Sequence, residues 1–275
     1  MLLIHYGFKE LQMKKTLSTM MIASALGMGG IAHAEMVTKP ITYEIEGQAY
    51  QGLLVYDDAV KDKRPGLLMV PNWMGVTENA AKKAYRAGGS EYVVFVVDMY
   101  GTDIRPQNAD EAGKAASVVR SDRQMMRKRI NMALEVFKTQ ADTVALDVDN
   151  IGAIGFCFGG GVVLELARSG TPVQGVVSFH GNLDTPDLAD AKAIRTPLLV
   201  LHGADDPYVA QEQVQVFTEE MRNAKVDWQL NSYGGAVHSF TDPTAKMPGQ
   251  AEYNPIVAER AFDAMHRFLS YSMTE

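Results

Sequence analysis

One stretch constrains this chain more than any other. It runs from Asn150 to Gly161 and contains the single cysteine, Cys157. Its apolar first half predicts a β-strand, and the glycines after the cysteine predict a turn into a helix. In residues 155–159 (GFCFG), a glycine stands two residues before and two residues after the thiol. A reactive side chain on a sharp strand-to-helix turn needs such glycines, because the bend leaves no room for Cβ atoms. The pattern therefore predicts a nucleophile elbow, although the pentapeptide alone also fits a buried cysteine packed beside a helix.

Two downstream segments supply the partners that a nucleophile needs. A leucine-rich run that begins at Leu198 predicts a strand, and it ends in a loop with the adjacent acids Asp205 and Asp206. His238 follows another strand-like segment, in the glycine-rich loop 233–240 before the last helical pattern. The chain order of nucleophile, acid and histidine is that of the α/β-hydrolase fold, and it differs from the orders in chymotrypsin and subtilisin. We therefore expect acyl transfer by a thiol nucleophile, with His238 as its base.

The sequences around these residues resemble the dienelactone hydrolase family, a cysteine-dependent branch of the α/β-hydrolases, from Ile41 to the C-terminus. The segments that carry the resemblance are 155–160 (GFCFGG), 202–209 (HGADDPYV), 236–240 (AVHSF) and 97–100 (VDMY). The resemblance implies a carboxylic ester hydrolase that cleaves small-molecule esters or lactones through a Cys157–His238–Asp206 triad and an acyl-enzyme. It also identifies Asp206, rather than Asp205, as the acid.

The resemblance further implies which groups surround the reacting carbonyl. The backbone N–H of Phe158, at the start of the elbow helix, would hold the oxyanion. The second donor would be the backbone N–H of Trp73, whose ring would pack over the pocket. Asn72, Tyr100 and Arg105 would lie in the substrate pocket.

Two positions depart from the family pattern. Asn72 stands where the family typically has a glutamate that controls the resting thiol, so we expect a resting thiolate paired with protonated His238. Asp242 stands where the family has an arginine that binds an anionic lactone, and only Arg105 lies near the position of the other such arginine. Because a carboxylate repels an anion, we expect neutral short-chain esters to be turned over at least as well as anionic lactones.

The rest of the chain predicts an α/β fold, with a mostly parallel central sheet and helices on both faces. Alternating apolar and polar residues around Gly47 predict an N-terminal antiparallel hairpin. The predicted strands cover residues 41–46, 49–56, 66–71, 92–98, 173–179, 198–201 and 226–232, besides the elbow strand. The predicted helices cover 78–87, 109–120, 121–140, 159–168, 211–223 and 255–271, and the basic residues of 121–140 are expected on a solvated face. Because Cys157, Asp206 and His238 all follow strands, they can meet at the carboxyl edge of the sheet.

The N-terminal residues predict a signal peptide over 1–34. A Met-Lys-Lys start at Met13, an apolar run and the small residues Ala32 and Ala34 have the order of a secretory signal, which predicts cleavage after Ala34. A membrane anchor is disfavoured, because Ser, Thr and Gly interrupt the run and it is shorter than the ~20 residues that a bilayer needs. We expect translation to start at Met13, a periplasmic or secreted location, and a single α/β-hydrolase domain over residues 35–275.

The net charge and the histidine positions limit which partners and cofactors we expect. The formal charge of −7 disfavours nucleic acid as a partner. The histidines outside the triad, His180, His202 and His266 among them, lack the spacing of metal ligands, so we expect no metal or organic cofactor and structural roles for the first two. A lone thiol in an oxidising compartment leaves one alternative open, a secreted redox-reactive or binding protein that keeps the fold without turnover. A purely structural relative is a further alternative, which the intact triad disfavours.

Overall fold

The structure, a computed structural model, describes residues 36–273. The strands of this range are β1 (Met36–Ile45), β2 (Gln48–Asp57), β3 (Arg64–Val70), β4 (Val93–Val96), β5 (Leu146–Phe156), β6 (Val176–Phe179), β7 (Leu198–Gly203), β8 (Trp228–Tyr233), β9 (Lys246–Met247) and β10 (Ala251–Glu252). The α-helices are α1 (Glu78–Gly88), α2 (Ala109–Ser121), α3 (Arg123–Thr139), α4 (Phe158–Arg168), α5 (Gln211–Ala224) and α6 (Pro255–Ser272). The predicted signal peptide falls in residues 1–35 and lies outside the described residues.

Eight of these strands form one sheet, in the order β1-β2-β4-β3-β5-β6-β7-β8. β1 and β2 form an antiparallel hairpin in which Ile45 pairs with Gln48. The two connecting residues, Glu46 and Gly47, have φ of 52° and 81°, which suits a tight hairpin turn. β2 pairs antiparallel with β4, and every later neighbour in the order is parallel. The predicted hairpin and the mostly parallel sheet are confirmed.

The central strands are apolar on both sides because helices cover both faces of the sheet. In β3, Leu68 and Val70 belong to the cluster that includes α3, α4 and α5, whereas Leu67 and Met69 belong to the cluster of α1 and α6. This alternation explains why the strand reads as a continuous apolar run. Within residues 36–273, no helix is both long enough and apolar enough to cross a bilayer.

The parallel strands β4 and β6 are shorter than the apolar runs predict. β4 ends at Val96, although the run continues to Asp98. The Asp98 carboxylate accepts backbone N–H groups of Gln51, Tyr100 and Gly101 at 2.9–3.0 Å. These bonds turn the chain out of the sheet, so Asp98 has a structural role that its position in the family motif does not reveal.

The sequence pattern predicts a solvated face for the basic residues of α3, and this holds for Lys128, which is exposed, but not for Arg127 and Arg129. Arg127 donates to the fully buried Glu165 of α4 at 2.8 Å and to Asp190 at 2.6 Å. Arg129 donates to the carbonyl of Met99 at 2.8 Å. A buried carboxylate is costly unless it is paired, so these arginines join α3 to α4 and to the loops beyond it.

Candidate active site

Cys157 lies between the end of β5 and the start of α4. Its backbone has φ 56° and ψ −118°, a conformation that residues with a side chain rarely adopt. A Cβ on Gly155 would lie 2.0 Å from the carbonyl oxygen of Gly159, and a Cβ on Gly159 would lie 2.2 Å from that of Val70. The two glycines therefore permit the sharp bend, and the bend presents the half-buried thiol at the carboxyl edge of the sheet.

The structure brings the three predicted catalytic side chains together. His238 Nε2 lies 3.1 Å from Cys157 Sγ, and His238 Nδ1 lies 2.8 Å from Asp206 Oδ2. Asp206 is buried, and its second oxygen accepts the backbone N–H of Tyr208 at 2.8 Å. The neighbouring Asp205 is exposed. The imidazole is therefore held between a thiol on one nitrogen and a fixed carboxylate on the other.

A small hairpin fixes the backbone of His238. The His238 N–H donates to the carbonyl of Gln250 at 3.1 Å, and its carbonyl accepts the N–H of Glu252 at 3.0 Å. The Tyr208 ring lies edge-on to the imidazole, with centroids 5.2 Å apart, and its hydroxyl lies 3.1 Å from Gln250 Oε1. His238 is thus supported both by the β9–β10 hairpin and by the loop that carries Asp206.

The surroundings of Cys157 and His238 favour the charged form of both groups. Burial lowers the pKa of His238, but the hydrogen bonds to Asp206 and Cys157 outweigh it and raise the pKa to about 10. Burial raises the pKa of Cys157, but the hydrogen bond from His238 outweighs it and the net pKa lies below the ordinary thiol value. Both shifts favour the thiolate–imidazolium form of the pair over the neutral thiol and imidazole.

A second buried imidazole, that of His180, lies beside the first. Its ring centroid is 5.2 Å from that of His238, and its Nε2 lies 2.8 Å from Thr241 Oγ1. Burial, together with the charge of His238, lowers the pKa of His180 well below its ordinary value. His180 is thus neutral, and it packs against the loop that follows His238.

The predicted oxyanion donors lie on two different elements. The backbone N–H of Phe158 faces the Cys157 sulfur and favours the thiolate. The Tyr100 hydroxyl donates to the Trp73 carbonyl at 2.8 Å, and this hydrogen bond holds the backbone at Trp73 in place. Within residues 36–273, the backbone N–H of Trp73 donates no hydrogen bond and so remains available. Trp73 is 37% exposed, so its side chain is not part of the buried core.

The predicted pocket residues are engaged with other protein groups. Arg105 donates to Asp98 Oδ2 at 2.9 Å and to the carbonyl of Gly101 at 2.6 Å. Arg105 and Tyr100 line a cleft of about 440 Å³, and Cys157 is not among the described residues that line it. The side-chain amide of Asn72 donates to Asp242 at 3.3 Å. Arg105 is therefore occupied by an internal carboxylate, and Asn72 is directed at Asp242.

Asp242 is not a free anion at the mouth of the pocket. It is 5% exposed and forms an ion pair with the buried Lys83 at 3.4 Å. Burial raises the pKa of Asp242, but Lys83 and Thr244 outweigh it and hold the carboxyl ionised. This pairing removes the physical basis for expecting Asp242 to repel an anionic substrate, since its charge is compensated.

One functional candidate, Arg120, was not found from sequence. Its guanidinium lies 5.5 Å from the centroid of the Phe158 ring and donates to Asn182 Oδ1 at 2.8 Å. Its charge favours the Cys157 thiolate. Arg120 belongs to the last turn of α2, far from the elbow in sequence, and nothing in the local pattern distinguishes it from other exposed helix arginines. Only the tertiary arrangement, which brings Arg120 over the Phe158 ring, places this cation near the thiol.

Comparison with known proteins places this geometry in a family. A sequence model of the dienelactone hydrolase family matches residues 50–272. The chain belongs to the dienelactone hydrolase family. A solved structure of a dienelactone hydrolase-like promiscuous phosphotriesterase from metagenomic libraries is 34% identical, with a TM-score of 0.79, and the match covers 86% of this chain and 98% of that one.

Curated relatives agree with the family assignment. The chain is 24% identical to the "Probable 2-oxo-3-(5-oxofuran-2-ylidene)propanoate lactonase" of Bradyrhizobium, over 74% of this chain and 82% of the relative. It is 32% identical to the carboxymethylenebutenolidase homolog of Xenopus tropicalis, over 41% of this chain and 44% of the relative. The protein is thus a hydrolase of ester or lactone bonds with the α/β-hydrolase fold, and the comparisons give no support to a protein without turnover. Within residues 36–273, no group of three or more His, Cys, Asp or Glu side chains could hold a metal ion.

Proposed function

We propose that this dienelactone hydrolase family member cleaves esters or lactones by covalent catalysis at Cys157, with His238 as acid and base and Asp206 as the residue that orients the imidazole. One observation carries the proposal. His238 Nε2 lies 3.1 Å from the sulfur while Nδ1 lies 2.8 Å from a buried carboxylate. This arrangement meets the geometric requirement for an activated nucleophile, a base and an orienting group.

In the first half of the reaction, the Cys157 thiolate attacks the carbonyl carbon and the C=O electron pair moves to oxygen. The backbone N–H groups of Phe158 and Trp73 would hold this oxyanion. The intermediate then collapses, the bond to the leaving oxygen breaks, and His238 Nε2–H protonates the leaving alkoxide. The products are a thioester on Cys157 and an alcohol, which for a lactone stays joined to the acyl chain.

In the second half, neutral His238 accepts a proton from water as the water oxygen attacks the thioester carbonyl. The second tetrahedral intermediate expels the Cys157 thiolate and releases the carboxylic acid. His238 is again an imidazolium beside a thiolate, so the resting ion pair is restored. Asp206 holds the tautomer with Nδ1–H and stabilises the imidazolium.

A short-chain p-nitrophenyl ester tests the proposal. We expect a burst of one nitrophenolate per Cys157, followed by steady turnover. Cys157→Ala should lower turnover on the order of a thousandfold or more, because no other group can form the thioester. Cys157→Ser is the matched control, since it keeps the side-chain shape but not the thiolate. Wild-type rates in Cys157→Ala would refute the proposal, and oxidation of the thiol without ester turnover would favour the redox-reactive alternative.

A second substrate class is suggested by the solved relative that is described as a promiscuous phosphotriesterase. A thiolate can attack phosphorus and displace an aryloxide, and water activated by His238 would then have to cleave the sulfur–phosphorus bond. We propose a phosphotriester assay beside the ester assay. Repeated Cys157-dependent turnover would support this activity, and inactivation after one equivalent would exclude it.

A further inference from the structure

A buried polar cluster lies beside the active site, centred on the Asp242 carboxylate. Oδ1 accepts the backbone N–H and the hydroxyl of Thr244 at 2.9 and 2.7 Å. Oδ2 lies 3.4 Å from Lys83 Nζ, and the Asn79 amide donates to both oxygens at 3.3 Å. Asn72 Nδ2 also donates to Oδ2 at 3.3 Å. The carboxylate thus joins its own turn, helix α1 and the loop after β3.

The backbone of Asp242 belongs to the turn that follows His238. The Asp242 N–H donates to the carbonyl of Ser239 at 2.9 Å, and Ser239 has φ 56°. In the same turn, Thr241 Oγ1 lies 2.8 Å from Nε2 of the buried His180. These contacts fix the turn, so the position of the Asp242 carboxylate is tied to that of the catalytic imidazole.

Asn72, which donates to Asp242, belongs to the segment 72–75, here called the oxyanion loop. Asn72 Oδ1 accepts the N–H of Met74 at 3.1 Å, and the Asn72 carbonyl accepts the N–H of Gly75 at 2.9 Å. Trp73 lies between these residues. Asn72 therefore shapes the loop with its side-chain oxygen and reaches Asp242 with its side-chain nitrogen.

We propose that Asp242 is a positioning residue, which acts through Asn72 to hold the Trp73 backbone N–H at a fixed distance from His238. This inference rests on the proposed function, since it assigns Trp73 to the oxyanion hole. An oxyanion donor is effective only when it is already placed where the negative charge develops. Because a misplacement of about 1 Å can cost on the order of a hundredfold in rate, a link between the oxyanion loop and the histidine turn has catalytic value.

The ion pair with Lys83 explains how this link can be buried. An isolated carboxylate in an apolar interior would take up a proton and would then be a weaker acceptor. Lys83 lies on α1, with its Nζ 3.4 Å from Asp242 Oδ2 and 4.8 Å from the centroid of the Phe156 ring. Burial lowers the pKa of Lys83, and the Asp242 carboxylate opposes that shift by favouring the charged ammonium. Lys83 thereby favours the ionised form of Asp242, whose Oδ2 also accepts the Asn72 amide.

A matched pair of variants tests the link. Asn72→Ser keeps a hydroxyl that can accept the Met74 N–H, but its side chain is too short to reach Asp242. Asn79→Ser removes an equivalent bond to the same carboxylate and leaves the oxyanion loop untouched. For a p-nitrophenyl ester we expect Asn72→Ser to lower kcat about tenfold to a hundredfold, with KM within about threefold. Asn79→Ser should keep kcat within about threefold of wild type.

Alkylation of Cys157 by iodoacetamide is the second readout, because it needs the thiolate but no oxyanion hole. In Asn72→Ser the alkylation rate should stay within about twofold of wild type across the neutral pH range. Retained kcat in Asn72→Ser, an equal loss in Asn79→Ser, or a parallel loss of alkylation would each overturn the proposal. If Asn72→Ser fails to fold, Asn72→Thr also keeps a hydroxyl that can accept the Met74 N–H without reaching Asp242, and the same readouts apply. Absence of Cys157-dependent turnover in the wild type would instead refute the proposed function.

Discussion

The sharpest prediction concerns the acid of the triad, because the chain carries two adjacent candidates. Asp206→Asn removes the charge next to His238 Nδ1 and keeps the size of the side chain. An asparagine oxygen can still accept the Tyr208 N–H that Asp206 accepts at 2.8 Å. Its amide nitrogen would then face Nδ1 and favour the tautomer that carries the proton on Nε2. That tautomer cannot accept the Cys157 proton, so both the resting thiolate and the activation of water should be lost.

The expected magnitude follows from the contacts of His238. Burial alone lowers the pKa of His238, and the hydrogen bond to Asp206 is the largest contribution that raises it to about 10. Without that bond the imidazolium loses the largest of the contacts that favour it. We expect kcat/KM to fall by about 10²- to 10⁴-fold, equivalent to roughly 3–5 kcal/mol of transition-state stabilisation. The assay is steady-state hydrolysis of a p-nitrophenyl ester, together with the pH dependence of iodoacetamide alkylation.

Asp205→Asn is the matched control, since it makes the same change one residue away at an exposed position. It should leave kcat/KM within about threefold, in line with surface substitutions in general. In Asp206→Asn, alkylation should become slower at neutral pH and should rise with pH towards the ordinary thiol pKa of about 8.5. A larger loss in Asp205→Asn than in Asp206→Asn would refute the assignment of the acid.

Three further predictions follow from the resting state, the arginine near the pocket and the N-terminus. The rate of wild-type alkylation should be nearly independent of pH from neutral pH up to the His238 pKa of about 10. At pH values below the lowered Cys157 pKa the rate should decrease, because the thiolate is protonated there. A tenfold rise in rate per pH unit through neutrality would contradict the ion pair. Arg105→Ala should lower the free energy of unfolding, measured by urea titration, by about 1–2 kcal/mol. The reason is that the buried Asp98 loses its cation but keeps its backbone donors. Unchanged stability together with a lost preference for anionic substrates would show that Arg105 binds substrate instead. The exported protein should begin directly after Ala34, and an intact mass that fits another start would refute this cleavage site.

The parts of the fold that local sequence determines were predictable. The alternation in 41–56 and the glycine turn predict the hairpin, and the apolar runs predict buried strands, because side-chain periodicity follows directly from which faces are covered. The elbow was predictable for a related reason. Gly155 and Gly159 are required by backbone contacts within a few residues of Cys157, so the local sequence records the constraint.

Contacts between distant elements were not predictable. Asp242 faces Lys83 and Asn79, which lie more than a hundred residues earlier in the chain, and no local pattern records that pairing. Arg120 has the sequence pattern of any surface arginine, and only the folded chain brings it over the Phe158 ring. Arg127 has the sequence pattern of a solvated residue, but in the folded chain it donates to the buried Glu165. The local sequence pattern predicts strands, helices and sharp turns, whereas the pairing of charged side chains depends on the tertiary arrangement.

The central claim is that the thiol of Cys157 carries the acyl group during turnover. The most direct measurement is rapid acid quenching of the enzyme with a slowly hydrolysed ester, followed by intact mass and peptide mapping. We predict a mass increase of one acyl group on the peptide that contains Cys157, which decays at the rate of steady-state turnover. Two results would contradict the account. One is continued turnover without any adduct at any quench time, under conditions in which hydrolysis of the acyl-enzyme limits the rate. The other is an adduct on a residue other than Cys157.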